Sequence, residues 1–413
     1  MAPGRPEPLD PITVAVLQHR LHALVAEMGE TMLRTAYSQI LNSSRDFSTA
    51  VVDPEGRLVA QAEHVPIHVG ALPWAVQAVR AAFGGTVDPG DVFLLNDPYH
   101  GNNHLPDLTV FVPVFAEGRL RFWAINRSHQ SDIGGATHGG YNPAATEIWQ
   151  EGLRIPPLRL YEAGRLREDV LALLAANVRH PRDFRGDLAA MIGSARVGAR
   201  RLSALLDEYG VERTLAGVEA ILDSAERQAR ACIATWRDGV YRGEAFLDDD
   251  GRGGRDIWIR ATVTKRGSDL IVDLTDCHPQ VDAFINSSYA NMRAAVSMAL
   301  AYFLDPDIPK NDGTFRPLRV LAREGTVAWA REPAPVTLCT NHCAQEIGEA
   351  VIKALAGACP ERAMAGWGRR FRIALQGRHP RTGRPFIWHM FQARPGGGAS
   401  SAGDGWPTAG EWQ

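Results

Sequence analysis

Between Leu108 and Asn126 this chain has to double back on itself. The runs Leu108–Phe115 (LTVFVPVF) and Leu120–Asn126 (LRFWAIN) are rich in β-branched and aromatic residues and too short for buried helices. Ala116-Glu117-Gly118-Arg119 lies between them as a turn, so the spacing predicts a β-hairpin. Closing that turn pairs residue n with residue 235 − n, to within about a residue or two. Asp107 then faces Ser128 or His129 at the open end, and His104 sits in the lead-in loop on the same side. Two imidazoles and a carboxylate with coordination positions to spare are a common ligand set for a catalytic divalent metal. The bland alternative is that histidines at strand ends hydrogen-bond a neighbour and Asp107 caps a turn.

Upstream, Phe47–Val52 and Arg57–Gln61 flank Asp53-Pro54-Glu55-Gly56 and predict a second hairpin. Its pairs sum to about 110, which sets Asp46 opposite His64, with His68 four residues further on. By themselves these form a structural ion pair. If the two hairpins share a sheet, Asp46 becomes a further ligand.

The remaining pattern is α+β. Residues 1–9 form a Pro-rich disordered tail, and 10–165 an N-terminal α+β domain with a mixed sheet and the metal-bearing hairpins. That domain opens on a helix capped by Asp10-Pro11 and running to about Tyr37; a second helix spans Leu72–Phe83 and a strand Val92–Leu95. Residues 166–238 are a helical segment, in which Gly193, Ser194, Ala195 and Gly198 permit close helix packing or a subunit interface. Residues 239–395 form a second α+β region, with helices at Ser288–Leu304 and Ala344–Ala358 and short strands across Asn311–Ala330. Residues 396–413 are a Gly-rich tail.

Several function classes are excluded. A net charge of −3 with arginines spread along the chain gives no basic patch for nucleic acid. The amino terminus lacks the apolar core of a signal peptide, and the apolar run Ala294–Leu304 is too short for a bilayer. Five cysteines, an odd number, read as reduced thiols, so a cytoplasmic protein is expected. Cys339 and Cys343 make half a zinc site with no second pair, which leaves buried or free thiols as the better reading. No phosphate-binding loop, dinucleotide fingerprint or nucleophile elbow is present. The glycine-rich stretch after Gly134 is a long loop of the kind that carries binding function.

The strings RDFSTAVVDPEGRLVAQAEHVPIHVGALP, NDPYHGNNHLPDLTVFVPVF, RSHQSDIGG, EGLRIPPLRL, NVRHPRDFRGDL and NDGTFRPLRV closely resemble the hydantoinase B/5-oxoprolinase family, from about Asp10 to Gly403. The resemblance implies the metal-bearing subunit of an ATP-dependent cyclic-amide hydrolase, opening a hydantoin, 5-oxoproline or lactam ring. A hydantoinase A-type partner binds the ATP and phosphorylates the substrate, and the two chains form a hetero-oligomer. It also implies a zinc, manganese or iron ion on His104, Asp107 and His129, with Asp46 as a further ligand or as the base that takes a water proton. His129 counts as a catalytic group as well as a ligand, and His64 joins it and Asp46 as a catalytic candidate. His64, His68 and Asp132 orient the ligands by hydrogen bonds. Glu151 and Arg154 line the substrate pocket or form a surface ion pair three residues apart. Gln130 stands where many relatives carry a second histidine, which removes a proton-relay role there. The terminal GGGASSAGDGW resembles a family region that continues further, so a truncated chain or one of a split pair is expected. The resemblance leaves two alternatives: the metal subunit of an ATP-dependent acetone- or acetophenone-type carboxylase, and a truncated non-catalytic scaffold.

Overall fold

Asp10 caps the first helix by accepting from the Thr13 N–H at 2.9 Å, and Pro11 takes its first position. The computed structural model describes residues 9–62, 64–366, 371–392 and 398–405; the expected tail at 1–8 and most of the Gly-rich end lie outside them. The capped helix, α1 (Pro11–Thr35), and a short turn α2 (Gln39–Asn42) lead into the hairpin β1 (Phe47–Val52) and β2 (Leu58–Ala62). After α3 (Pro66–Val69) and α4 (Leu72–Phe83) come β3 (Val92–Leu95), β4 (Asp107–Ala116), β5 (Arg119–His129), β6 (Leu158–Glu162) and β7 (Arg165–Leu166). These strands form one sheet in the order β2-β1-β5-β4-β3-β6-β7, antiparallel at every pair.

The central strands are apolar on both faces because both faces are covered. Three helices follow β7: α5 (Glu168–Ala176), α6 (Pro181–Tyr209) and α7 (Val211–Ala234). On one side Leu108, Val110 and Val112 pack with Leu188, Met191 and Ile192 of α6, and Val51 and Phe122 pack with Leu21 and Val25 of α1 and Ile221 of α7. On the other side Phe111, Trp123 and Ile125 meet Leu72, Val76 and Val79 of α4. Each fully buried side chain of this size contributes about 1.5–3 kcal/mol, and a one-residue slip would turn a whole row to the wrong face. Register is therefore strongly specified. The small residues of α6 serve packing within the chain: a Cβ on Gly198 would come within 2.3 Å of Met28 Sδ on α1.

The second sheet comprises β8 (Gly239–Asp249), β9 (Arg255–Arg266) and β10 (Asp269–Asp273), followed by α8 (Tyr289–Phe303), α9 (Asp312–Phe315) and β11 (Leu318–Leu321). Its order is β11-β10-β9-β8, with β10 and β11 parallel. One face alternates out to solvent; the other buries Ile257, Ile259 and Val263 with α8 and with Ile347, Val351 and Leu355 of α10 (Ala344–Ala358). The fold is thus α+β. Asn311 caps the helical turn α9 where a strand was expected, because an Asn-Asp-Gly start satisfies the first N–H groups of a helix better than it extends. A last hairpin, β12 (Phe371–Arg378) and β13 (Pro385–Gln392), has no counterpart in the sequence reading. Ser400 bridges back to Met364, so residues 398–405 are not wholly free of pairing.

The two sheets meet at the loop before β4. The Ser288 hydroxyl, at the start of α8, donates to the carbonyls of Asn102 and Asn103 at 2.9 and 2.8 Å. Asn103 Nδ2 reaches Asn291 Oδ1 at 3.2 Å. Among the described residues no helix is long and apolar enough to cross a membrane.

Candidate metal centre

The β4–β5 pairing sets Asp107 directly opposite His129. Asn102 holds the loop that carries His104: its side-chain amide donates to the carbonyls of Asn96, His104 and Asp107, and its oxygen accepts from Thr109. His104 Nε2 lies 2.9 Å from Asp107 Oδ1, and His129 Nδ1 lies 3.0 Å from the same oxygen. Ligand atoms of the three side chains all lie within 4.8 Å of one another, and all three residues are buried.

The donor chemistry fits a cation. His104 Nδ1 lies 2.5 Å from the carbonyl oxygen of Thr337, which can only accept, so that nitrogen carries the hydrogen. Nε2 then presents its lone pair toward the Asp107 carboxylate, without the alignment of a hydrogen bond, and neither it nor Asp107 Oδ2 has a hydrogen-bond partner. Two lone-pair-bearing atoms facing each other in a dry site need a positive charge between them, either a proton or a metal ion. Burial works against ionisation of Asp107, but the neighbouring His104 and His68 outweigh it and hold the carboxyl well below its usual range. Nitrogen and carboxylate donors of this kind suit zinc, manganese or iron.

The other expected residues divide. Asp46 lies beside the trio: its carbonyl accepts from the His129 N–H at 3.0 Å, while its carboxylate lies 3.5 Å from His68 Nε2. His68 Nε2 is also 3.3 Å from Asp107 Oδ2, so this buried imidazole links the two carboxylates. The expected Asp46–His64 pairing is replaced by Asp46–His68. A register shift at Val51/Val52 and the helical turn of α3 swing His68 inward, whereas His64 packs at a tilt on Phe47 with ring centroids 4.7 Å apart and lies against Gly29. Burial pulls the His64 imidazole below its ordinary value, as suits a packed ring. Asp132 holds Arg179, accepting from its backbone N–H at 2.7 Å and its guanidinium at 2.8 Å.

Glu151 and Arg154 do not pair with each other. Arg154 bridges Asp97 and Glu332 at the edge of a cleft of about 650 Å³ that His100 and Trp149 also line. Glu151 is wholly buried and accepts from the N–H groups of Val336 and Thr337 at 2.9 and 2.8 Å. It thereby positions the carbonyl that orients His104. Burial pushes the Glu151 carboxyl up to about 7. The folded chain therefore holds this proton where the unfolded chain has released it, and wild-type stability falls relative to Glu151→Gln as pH climbs from about 4.5 to about 7. The expected difference is roughly 3 kcal/mol, developed across that window and constant above it. Urea unfolding of both proteins from pH 4.5 to 8 measures it, and a flat difference would refute the assignment.

Three residues at the centre escaped the sequence reading. Tyr141, from the long glycine-rich loop, lies against both imidazoles: its ring is stacked on His129 at 6.0 Å and edge-on to His104 at 5.9 Å. Asn341, between the two cysteines weighed as zinc ligands, donates to the Tyr141 hydroxyl at 3.1 Å. His389, from β13, meets His129 at a centroid distance of 5.9 Å and reaches the Ser131 carbonyl at 3.1 Å. Cys339 and Cys343 are buried free thiols, pushed far up by burial. Gln130 donates to the Ser128 carbonyl and contacts Met191.

A sequence model of the hydantoinase B/oxoprolinase family matches residues 10–412. The beta chain of the caprolactamase of Pseudomonas jessenii is 40% identical, over 97% of this chain and 70% of its own length. The B-type chain of a putative D-/L-hydantoinase from a Pseudomonas species is 32% identical, over 89% of this chain and 65% of its own length. The crystal structure of the ATP-dependent caprolactamase from Pseudomonas jessenii matches with a TM-score of 0.91 at 39% identity, covering 97% of this chain and 70% of that one. Nucleotide-free acetone carboxylase matches with a TM-score of 0.88 over 96% of this chain and 55% of that one; at 20% identity it speaks to the fold alone.

Proposed function

Since this chain belongs to the hydantoinase B/oxoprolinase family, we propose that it is the ring-opening subunit of an ATP-dependent cyclic-amide hydrolase. The substrate class is a lactam, hydantoin or 5-oxoproline, phosphorylated on its amide oxygen by an ATP-binding hydantoinase A-type partner. The observation that carries this reading is the convergence of His104, Asp107 and His129 in a chain so similar to one chain of a caprolactamase.

An amide carbonyl resists water because nitrogen donates into it, and O-phosphorylation removes that resistance. A divalent ion on His104, Asp107 and His129 would supply a Lewis acid and a water of lowered pKa. The chain's own residues do the rest. Thr337 fixes His104 in the tautomer whose Nε2 faces the centre. His68 Nε2 lies 3.5 Å from the Asp46 carboxylate and 3.3 Å from that of Asp107, so Asp46 stands within one side chain of the site as the base for the water proton. Tyr141 and His389 cover the imidazoles and limit bulk water. Water then adds to the activated carbon, the ring C–N bond breaks with a proton going to the nitrogen, and a second water splits the resulting acyl phosphate into carboxylate and inorganic phosphate.

The test is co-purification with the ATP-binding partner and assay of caprolactam, hydantoin and 5-oxoproline with ATP, with acetone plus bicarbonate run in parallel. Chelator-sensitive, ATP-dependent release of a ring-opened amino acid is the expected result. Turnover of acetone alone would move the chain to carboxylation. Turnover that survives removal of all divalent metal would overturn the metal-centred reading.

A further inference from the structure

We infer that Tyr141 is a catalytic residue, its phenol donating a hydrogen bond to an oxygen of the activated cyclic amide bound over His104 and His129; this rests on the ring-opening reading above. The ring lies against both imidazoles, stacked on His129 and edge-on to His104. Any molecule reacting between those two histidines is therefore within reach of this side chain. Its hydroxyl oxygen accepts from the Asn341 amide at 3.1 Å, and a side-chain N–H can only donate, so the phenol proton is directed away from Asn341. Asn341 is itself buried and held by its backbone N–H to the Leu338 carbonyl at 2.9 Å.

The backbone leaves the ring little freedom. Gly139 and Gly140, just before it, have φ of +78° and +76°, and a Cβ on them would meet Ala374 of β12 at 2.5 Å and Pro106 at 2.9 Å. Thr137 Oγ1 donates to the Tyr141 carbonyl, and His138 Nε2 reaches the Ala374 carbonyl at 3.1 Å. Two parts of the chain distant in sequence thus hold one phenol at a chosen place. The ring is partly buried, with two imidazoles and an amide around it. When water adds to the activated carbon the electron pair passes to the ring nitrogen, while the phosphoryl oxygens carry negative charge throughout, and a pre-positioned neutral donor is what such an oxygen requires.

Losing one such donor lowers kcat by about 10²-fold. The experiment places Tyr141→Phe, Asn341→Ala and the double variant in the complex with the ATP-binding partner. Caprolactam and 5-oxoproline are the probes, and zinc content is measured for each protein. Expected are a kcat about 10²-fold lower for Tyr141→Phe with unchanged zinc, and a smaller loss for Asn341→Ala. The double variant should be no worse than Tyr141→Phe, since Asn341 acts through the phenol. Full activity of Tyr141→Phe, additive losses in the double variant, or loss of zinc from Tyr141→Phe would each overturn the inference and leave the ring-opening reading standing. A wild-type complex that holds zinc and opens no cyclic amide would overturn both.

Discussion

Asp107→Asn is expected to lose stoichiometric divalent metal and to lower ATP-dependent ring opening by about 10³-fold or more. Asp107 Oδ1 is approached by His104 at 2.9 Å and His129 at 3.0 Å, and Oδ2 by His68 at 3.3 Å. An amide of the same shape keeps the packing but offers no anion to these nitrogens. Lewis-acid stabilisation is worth several kcal/mol, and each 1.36 kcal/mol is about tenfold in rate. The variant should remain folded, because β4 is anchored by Leu108, Val110 and Phe111 in two separate cores. Metal analysis of the dialysed protein and steady-state turnover of the complex decide the matter. Wild-type metal content in Asp107→Asn would remove this residue from the centre.

Gly101→Ala is expected to be strongly destabilising. Gly101 has φ +88° and ψ 13°, and a Cβ there would lie 2.4 Å from the carbonyl carbon and 2.5 Å from the carbonyl oxygen of Trp74. The first obstacle is intrinsic, since left-handed backbone costs an L-residue about 1–2 kcal/mol. The second is steric: the obstruction is backbone of α4, which cannot move without disturbing Leu72, Val76 and Val79 beneath the sheet. Together they predict a loss of about 3–5 kcal/mol, a large part of the stability of an ordinary domain. The urea midpoint measures it; an unchanged midpoint would refute the close approach of this loop to α4. Because Gly101 begins the loop that carries His104, whatever protein remains folded should also bind metal less tightly.

Much of this was legible in the sequence for an identifiable reason. A two-residue period with a short turn leaves a hairpin little choice of register, so the spacing of β4 and β5 set Asp107 opposite Ser128 or His129, and a register shift at Val114/Phe115 makes the partner His129. The same reasoning failed for His64. β1 and β2 slip by one residue at Val51/Val52, and α3 rewinds the chain so that His68, not His64, turns toward Asp46. Glu151 was found as a residue but not in its task, because its partners at Val336 and Thr337 are 185 and 186 positions away. Tyr141 and Asn341, separated by 200 positions, and His389, 258 positions from Ser131, leave no local periodic trace. Residues drawn together from distant segments have no signature in either segment.

The β12–β13 hairpin sets an order in time. On a ribosome the histidines at 104 and 129 emerge and can pair across β4 and β5 long before His389 exists, and closing a contact across 258 residues comes late. Until that hairpin docks on Gly139 and Ser131, one flank of the imidazole pair stands open. The growing chain thus offers its histidines to the solvent early and shuts them in only after β13 has been made.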